Sequence, residues 1–241
     1  MPKVFIGVGH GGSDPGATGN GFQEKDLNLS IALACRDTLA SSGVDVEISR
    51  EADITSSLEE RIRQCNQFDP DLALDVHNNA GGGDGAEVYH HYAGGTGKTL
   101  AENILSEIVA IGQNSRGTKV KLNSAGRDYF GFIRQTSAPA VIVECAFVDN
   151  ATDIQMVGTA DKQKRMGQAI ARGVLKTLGI PYQGDVNGDG KVDASDALLA
   201  LQDSVELTQL NEEQRQKADM NGDGKVDASD ALAMLQKSVG R

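Results

Sequence analysis

Four side chains in the first 150 residues could together carry out metal-assisted hydrolysis: His10, Glu24, His77 and Glu144. Two imidazoles and one carboxylate suit a zinc ion and leave one tetrahedral position open for water. A cation held there polarises a carbonyl and makes that water more acidic. A second carboxylate, outside the ligand set, can take the water's proton and hand it to a leaving nitrogen. His10, Glu24 and His77 are therefore the candidate ligands of one catalytic zinc, and Glu144 is the candidate acid/base. Spacing alone does not make a motif of them, because there is no HExxH segment and the four lie far apart. Taken singly, each has an ordinary alternative. The histidines suit turns, with Asn78-Asn79 as turn residues, and Glu24 suits the first turn of a helix. Glu144 is harder to explain away, since a carboxylate ending a buried run needs a partner.

The elements around these residues give a reason for them to meet. Val4–Val8, Leu72–Val76 and Ala140–Val143 are apolar runs that lead into His10, His77 and Glu144. In an open α/β sheet the functional crevice lies at the carboxyl ends of the strands, so parallel neighbours would converge these side chains. Glu24 follows a glycine-rich stretch, 11–21, that can fold back over a strand end and bring it to His10. Val44–Ile48 and Ala86–Tyr92 also read as strands, the latter holding His90 and His91 on opposite sides. Neither of those histidines is expected to bind metal. Helical periodicity covers Glu24–Ser41, Leu58–Phe68, Leu100–Ile111 and Met166–Leu178. The alternation predicts an α/β domain over residues 1–179, a buried sheet flanked by helices.

Past a short linker at 180–184 the composition shifts, and residues 185–241 hold 12 acidic and 6 basic side chains. GDVNGDGKVDASDALLALQDSV recurs 34 residues later as ADMNGDGKVDASDALAMLQKSV. In twelve-residue numbering the first copy offers Asp185, Asn187, Asp189, Asp193 and Asp196, with the carbonyl of Lys191. The second offers Asp219, Asn221, Asp223, Asp227 and Asp230, with the carbonyl of Lys225. Gly190 and Gly224 stand where such a loop turns sharply. This is the pattern of oxygens that wraps a calcium ion, so two structural calcium ions are expected in a small all-α domain. Each loop is followed by a helix, at Asp196–Ser204 and Asp230–Ser238, whereas Pro181 makes 180–184 a poor entering helix. This duplicated loop–helix unit closely resembles the type I dockerin modules of cellulosome-type assemblies. The resemblance implies docking onto a cohesin module of a scaffold protein, with partner choice read largely at Ala194, Ser195, Ala228 and Ser229.

Longer motifs surround the four candidate residues. Gly9-His10-Gly11-Gly12-Ser13-Asp14-Pro15-Gly16-Ala17 is followed by Gly21-Phe22-Gln23-Glu24-Lys25, then Ser49-Arg50 and Leu58-Glu59-Glu60-Arg61. Further on come Val76-His77-Asn78-Asn79-Ala80 and Val141-Ile142-Val143-Glu144, with Phe147 and Asn150 behind. In this order they resemble the zinc-dependent N-acetylmuramoyl-L-alanine amidases over about residues 3–178. The resemblance implies a twisted mixed sheet flanked by helices, zinc on His10, Glu24 and His77, and acid/base work by Glu144. It also implies cleavage of the amide joining muramic acid to L-alanine in peptidoglycan. Two departures stand out: Asp75 where the family commonly has serine, and Cys145-Ala146 where Leu-Gly is frequent. Asn79, Arg127 and Gln135 are weaker candidates for substrate contact, and Arg50 and Arg61 are expected to support the fold.

Bulk properties narrow the function further. A net charge of −11 disfavours nucleic acid as a partner. No apolar run is long enough to span a membrane. Cys35, Cys65 and Cys145 form neither a disulfide framework nor a CxxC metal site, so buried free thiols are expected. No export leader pattern is visible at Met1-Pro2-Lys3, although the activity belongs at the cell wall, outside the cell. Alternatives are a zinc peptidase acting on another amide, or a non-catalytic wall-binding scaffold component. The tail is also compatible with self-association, and the whole with a phage-type lysin.

Overall fold

Lys3–Val8 (β1) is apolar on both faces, as a strand at the centre of a doubly covered sheet must be. A computed structural model describes residues 1–239 and divides into two units, Met1–Leu178 and Gly179 onward. In the first unit, β1 is followed by a two-residue hairpin pair, Thr18–Gly19 (β2) and Phe22–Gln23 (β3). Then come Glu24–Ser41 (α1), Asp45–Ile48 (β4), Leu58–Phe68 (α2), Leu72–Asn79 (β5), Ala86–His90 (β6) and Thr96–Ala110 (α3). Ser115–Lys119 (β7), Gly131–Gln135 (α4), Ala140–Phe147 (β8), Ala151–Val157 (α5) and Ala160–Leu178 (α6) complete it.

The main sheet runs β4-β1-β5-β8-β6-β7, with β1, β5 and β8 adjacent and parallel. The sheet is mixed because β6 pairs with β8 antiparallel. Helices α1, α3 and α6 pack together against one face, and α2 and α4 lie against the other. On the α2/α4 face the core is built from Phe5, Ile62, Cys65, Ala73, Phe132, Ile133, Ala140 and Ile142. All three cysteines are free and buried. β6 ends at His90, so His91 is not a strand residue; its Nε2 instead lies 3.1 Å from Asp128 Oδ2. β7, α4 and α5 have no counterpart in the periodicity, and α6 begins six residues earlier than the apolar pattern starts.

The second unit is helical, with Ala194–Ser204 (α7), Glu212–Ala218 (α8) and Ala228–Ser238 (α9). Its core is small: Val186, Ala197, Ala200, Leu210, Ala218, Ala231 and Met234. α8 leads into the second acidic loop and was not anticipated by the sequence pattern. No helix among the described residues is long and apolar enough to cross a membrane.

Candidate metal centre

Strand register places the key side chains in rows across the sheet. His77 pairs with Glu144 on β8, and Glu144 pairs with Glu87 on β6, so all three project from the same face. One step toward the strand starts, Gly7, Asp75 and Ile142 form the next row. The two glycines are required by this geometry. A Cβ on Gly7 would lie 2.4 Å from Asp75 Oδ1, and one on Gly9 would lie 2.2 Å from His77 Cε1.

His10 sits just past β1 with φ of 62°, a left-handed conformation that costs a non-glycine residue about 1 kcal/mol. The 11–21 loop then folds back, and Glu24 Oε2 accepts from the Ala17 amide at 2.9 Å. Gly16 makes the close approach feasible, since its absent Cβ would lie 2.6 Å from Glu24 Oε2. Glu24 opens α1 and is buried. Its Oε1 accepts from the Asn78 amide at 3.1 Å and lies 2.9 Å from His77 Nδ1. Its Oε2 lies 3.2 Å from His10 Nε2. Arg50, buried, donates to the carbonyls of Gly9 and Lys25 and so ties the His10 turn to α1.

His10, Glu24 and His77 each offer a donor atom within 4.8 Å of the others, the only such group among the described residues. The Glu24 carboxylate reaches both histidines, Oε1 to His77 Nδ1 at 2.9 Å and Oε2 to His10 Nε2 at 3.2 Å, so the three donors stand close enough to share one small cation. The donor set therefore fits zinc. The electrostatics agree: the two histidines hold the Glu24 carboxyl far below the usual range despite its burial. Glu24 in turn raises His10. Burial opposes charge on His77, but Asp75 and Glu24 outweigh it.

Glu144 is different. Burial pushes its carboxyl up to about 7, and its Oε2 is buried with no hydrogen-bond partner. It lines a cavity of about 190 Å³ with His77, Asp75, Arg61 and the apolar side chains of Leu58, Phe130, Phe132 and Ile142. A buried polar atom without a partner, in a partly open cavity, calls for an explanation other than packing.

The weaker candidates fall outside this arrangement to different degrees. Asn79 donates to Glu87 Oε1 at 3.0 Å, in the group next to Glu144. Arg127 is an exposed turn residue, its amide on Asn123 Oδ1, and the Gln135 carbonyl accepts from Asn66. None of the three lines the cavity beside Glu144. Three acidic groups near the site are not among the candidate functional residues of the sequence. Asp14 Oδ2 lies 2.8 Å from His10 Nδ1, and Asp75 Oδ2 lies 3.4 Å from His77 Nε2. Glu87 gathers Tyr89, Arg116 and Lys119 around it. For Asp75 a signal existed: two residues before His77 on one strand, it must share its face.

In the second unit the loop carboxylates turn onto loop amides. Asp185 Oδ2 accepts from Gly190 and Asp219 Oδ2 from Gly224, at 3.1 and 2.8 Å. Asp189 and Asp223 each accept from the lysine amide two residues on, at 2.9 Å. Asp193 and Asp227 cap α7 and α9, and buried Asp196 and Asp230 close each capping box. Asn187 and Asn221 cap the amides of Asp189 and Asp223. The donor set is all oxygen, which fits a hard cation such as calcium. Ala194, Ser195, Ala228 and Ser229 are exposed at the helix starts.

A mixed α/β sheet that gathers three side chains able to hold a metal beside a buried carboxylate fits a metallohydrolase-like class. Comparison with known proteins makes it specific. Residues 4–176 match the family model for N-acetylmuramoyl-L-alanine amidase, and residues 183–238 match the type I dockerin domain. The sporulation-specific N-acetylmuramoyl-L-alanine amidase of Bacillus subtilis is 38% identical over 184 residues, covering 75% of this chain and 69% of that one. Among solved structures, Cwp6 from Clostridium difficile aligns with a TM-score of 0.72 at 40% identity, over 73% of this chain and 29% of that one. The catalytic domain of CwlV, an N-acetylmuramoyl-L-alanine amidase from Bacillus (Paenibacillus) polymyxa, aligns with a TM-score of 0.67 at 28% identity, over 75% and 99%. The chain belongs to the N-acetylmuramoyl-L-alanine amidase family and carries a type I dockerin domain.

Proposed function

We propose that this chain hydrolyses peptidoglycan at the amide between N-acetylmuramic acid and L-alanine, and that its tail docks the enzyme onto a cohesin module. The observation that carries the reading is the pairing of a His10–Glu24–His77 donor group with a separate carboxylate, Glu144, whose Oε2 is buried and unpartnered. Residues 1–179 form the amidase domain, 180–184 the linker and 185–241 the docking domain.

His10, Glu24 and His77 would hold one zinc. When bound, zinc supplies Lewis-acid polarisation of the scissile carbonyl and lowers the pKa of water. Glu144 takes a proton from the attacking water at its free Oε2 as the new C–O bond forms. It then delivers that proton to the departing nitrogen as the C–N bond breaks. The products are a free lactyl carboxylate and the free amine of L-alanine. Leu58, Phe130, Phe132 and Ile142 give the cavity beside Glu144 an apolar wall. Asn79, held by Glu87 in the adjoining row, is the favoured substrate contact among the weaker candidates.

In the tail, two calcium ions would be held by Asp185, Asn187, Asp189, the Lys191 carbonyl, Asp193 and Asp196, and by Asp219, Asn221, Asp223, the Lys225 carbonyl, Asp227 and Asp230. The docking face is Ala194-Ser195 and Ala228-Ser229 with the exposed Leu198, Leu201, Leu232 and Leu235 of α7 and α9. The enzyme then acts at the cell wall, outside the cytoplasm. Digestion of purified walls tests the chemistry: new L-alanine amino termini without new reducing sugars are expected. Reducing sugars without amino termini would rule the amidase reading out.

A further inference from the structure

His77 faces a carboxylate on each of its two ring nitrogens. Nδ1 lies 2.9 Å from Glu24 Oε1, on the side of the donor group, and Nε2 lies 3.4 Å from Asp75 Oδ2. Asp75 is 1% exposed, and a carboxylate at that depth is costly unless paired. Its partner is Arg61, whose Nη2 lies 3.3 Å from the same Oδ2. Arg61 is itself buried and anchored, donating from Nη1 to the Ser56 carbonyl at 2.7 Å, just before the Ser57 cap of α2. On the other side, Gly7 leaves the space that the carboxylate occupies. A chain of contacts thus runs from α2 through Arg61 and Asp75 to the remote nitrogen of His77.

An ion pair between Arg61 and Asp75 could be purely structural. Its position argues for more. Asp75 and His77 share one face of β5, and Oδ2 is the oxygen that meets both Arg61 and His77. A histidine that binds metal through one nitrogen needs its proton on the other, and an acceptor there fixes both the tautomer and the ring angle.

We propose that Asp75 is a positioning residue for the metal centre. It accepts the Nε2 hydrogen of His77 and so presents the Nδ1 lone pair toward Glu24 and His10, and Arg61 immobilises the carboxylate that does so. The inference rests on the reading of His77 as a zinc ligand.

Two measurements on the full chain test it. Long-range 1H–15N correlation of the zinc-loaded wild type should show the His77 proton on Nε2 and none on Nδ1. The reverse tautomer overturns the proposal while leaving zinc binding at His77 intact. The second measurement is zinc affinity by competition with a chromophoric chelator at fixed pH. The variant is Asp75→Leu with Arg61→Met, which removes the pair as a unit and avoids stranding a buried charge. Folding is checked by circular dichroism. Zinc affinity should fall by about 10- to 100-fold. A folded variant binding zinc within twofold of wild type shows that the pair is structural only, and overturns the proposal. If the wild type binds no zinc at all, the site reading and this inference fall together, a result distinct from either of the others.

Discussion

Glu144 carries a penalty that folding alone does not explain. Its carboxyl is buried beside His77, Asp75 and Glu87, and its pKa is pushed up to about 7 with no partner at Oε2. Glutamine at this position keeps the shape and removes the charge. Glu144→Gln should therefore lose about 10²- to 10⁴-fold in kcat on wall fragments, with zinc content unchanged and Tm unchanged or raised. A variant within tenfold of wild type would remove Glu144 from the reaction. The closeness of His10, Glu24 and His77 was readable from residue type and context, because each follows an apolar run or a glycine-rich loop. The part played by Asp75 was not read, although Asp75 stood out as a departure. Its importance depends on the register that puts it opposite Gly7 and within reach of Arg61 on another element. Arg127 and Gln135 drew attention by type alone, and tertiary packing left them outside the cavity.

At the scale of elements, apolar periodicity located β1, β4, β5, β6, β8 and the long helices. It missed β7, whose sequence SRGTK is a polar edge strand with Gly117 at φ of 85°. It missed α4 and α5 because five and seven residues are too few to show a period. It began α6 late because the first turns of that helix, 160–165, are charged and mostly exposed. Gly7 in β1 and Gly9 just past its end make the element and the site inseparable. Gly9→Ala would put a Cβ 2.2 Å from His77 Cε1, so the imidazole must turn away from the donor group to make room. Zinc affinity should drop at least tenfold, about 1.4 kcal/mol, while far-UV circular dichroism stays unchanged. Asp153 makes a second such link. Buried at the start of α5, it accepts from the amides of Phe147 and Gly85, at 2.7 and 2.9 Å, joining the end of β8 to the turn before β6. Asp153→Ala strands two buried donors, and urea unfolding should show a loss of about 1–3 kcal/mol for the first unit. A change below about 0.5 kcal/mol would mean that water reaches both amides.

At the scale of the whole molecule, two units with very different reserves of stability share one chain. The first rests on a six-stranded sheet with helices over both faces. The second rests on seven mostly small buried side chains, and it spends its aspartates on its own loop amides. A core of that size is marginal at about 60 residues, the range in which a structural cation supplies the missing stability. Acidic groups wound into two tight loops also repel one another unless a cation lies among them. Removing calcium should therefore act on one unit and spare the other. Amide hydrogen exchange read by peptide is the suitable measurement, with calcium removed by exhaustive dialysis, since a strong chelator would also strip zinc. Protection across residues 185–239 should collapse and return when calcium is restored, while β1, β5 and β8 exchange at unchanged rates. Cleavage of soluble wall fragments, which needs only the first unit, should not respond. Loss of activity in step with loss of tail protection would show that the tail supports the catalytic unit as well as placing it. Undiminished protection without calcium would mean that the hydrogen bonds donated by loop amides to Asp185, Asp196, Asp219 and Asp230 suffice to hold the tail together.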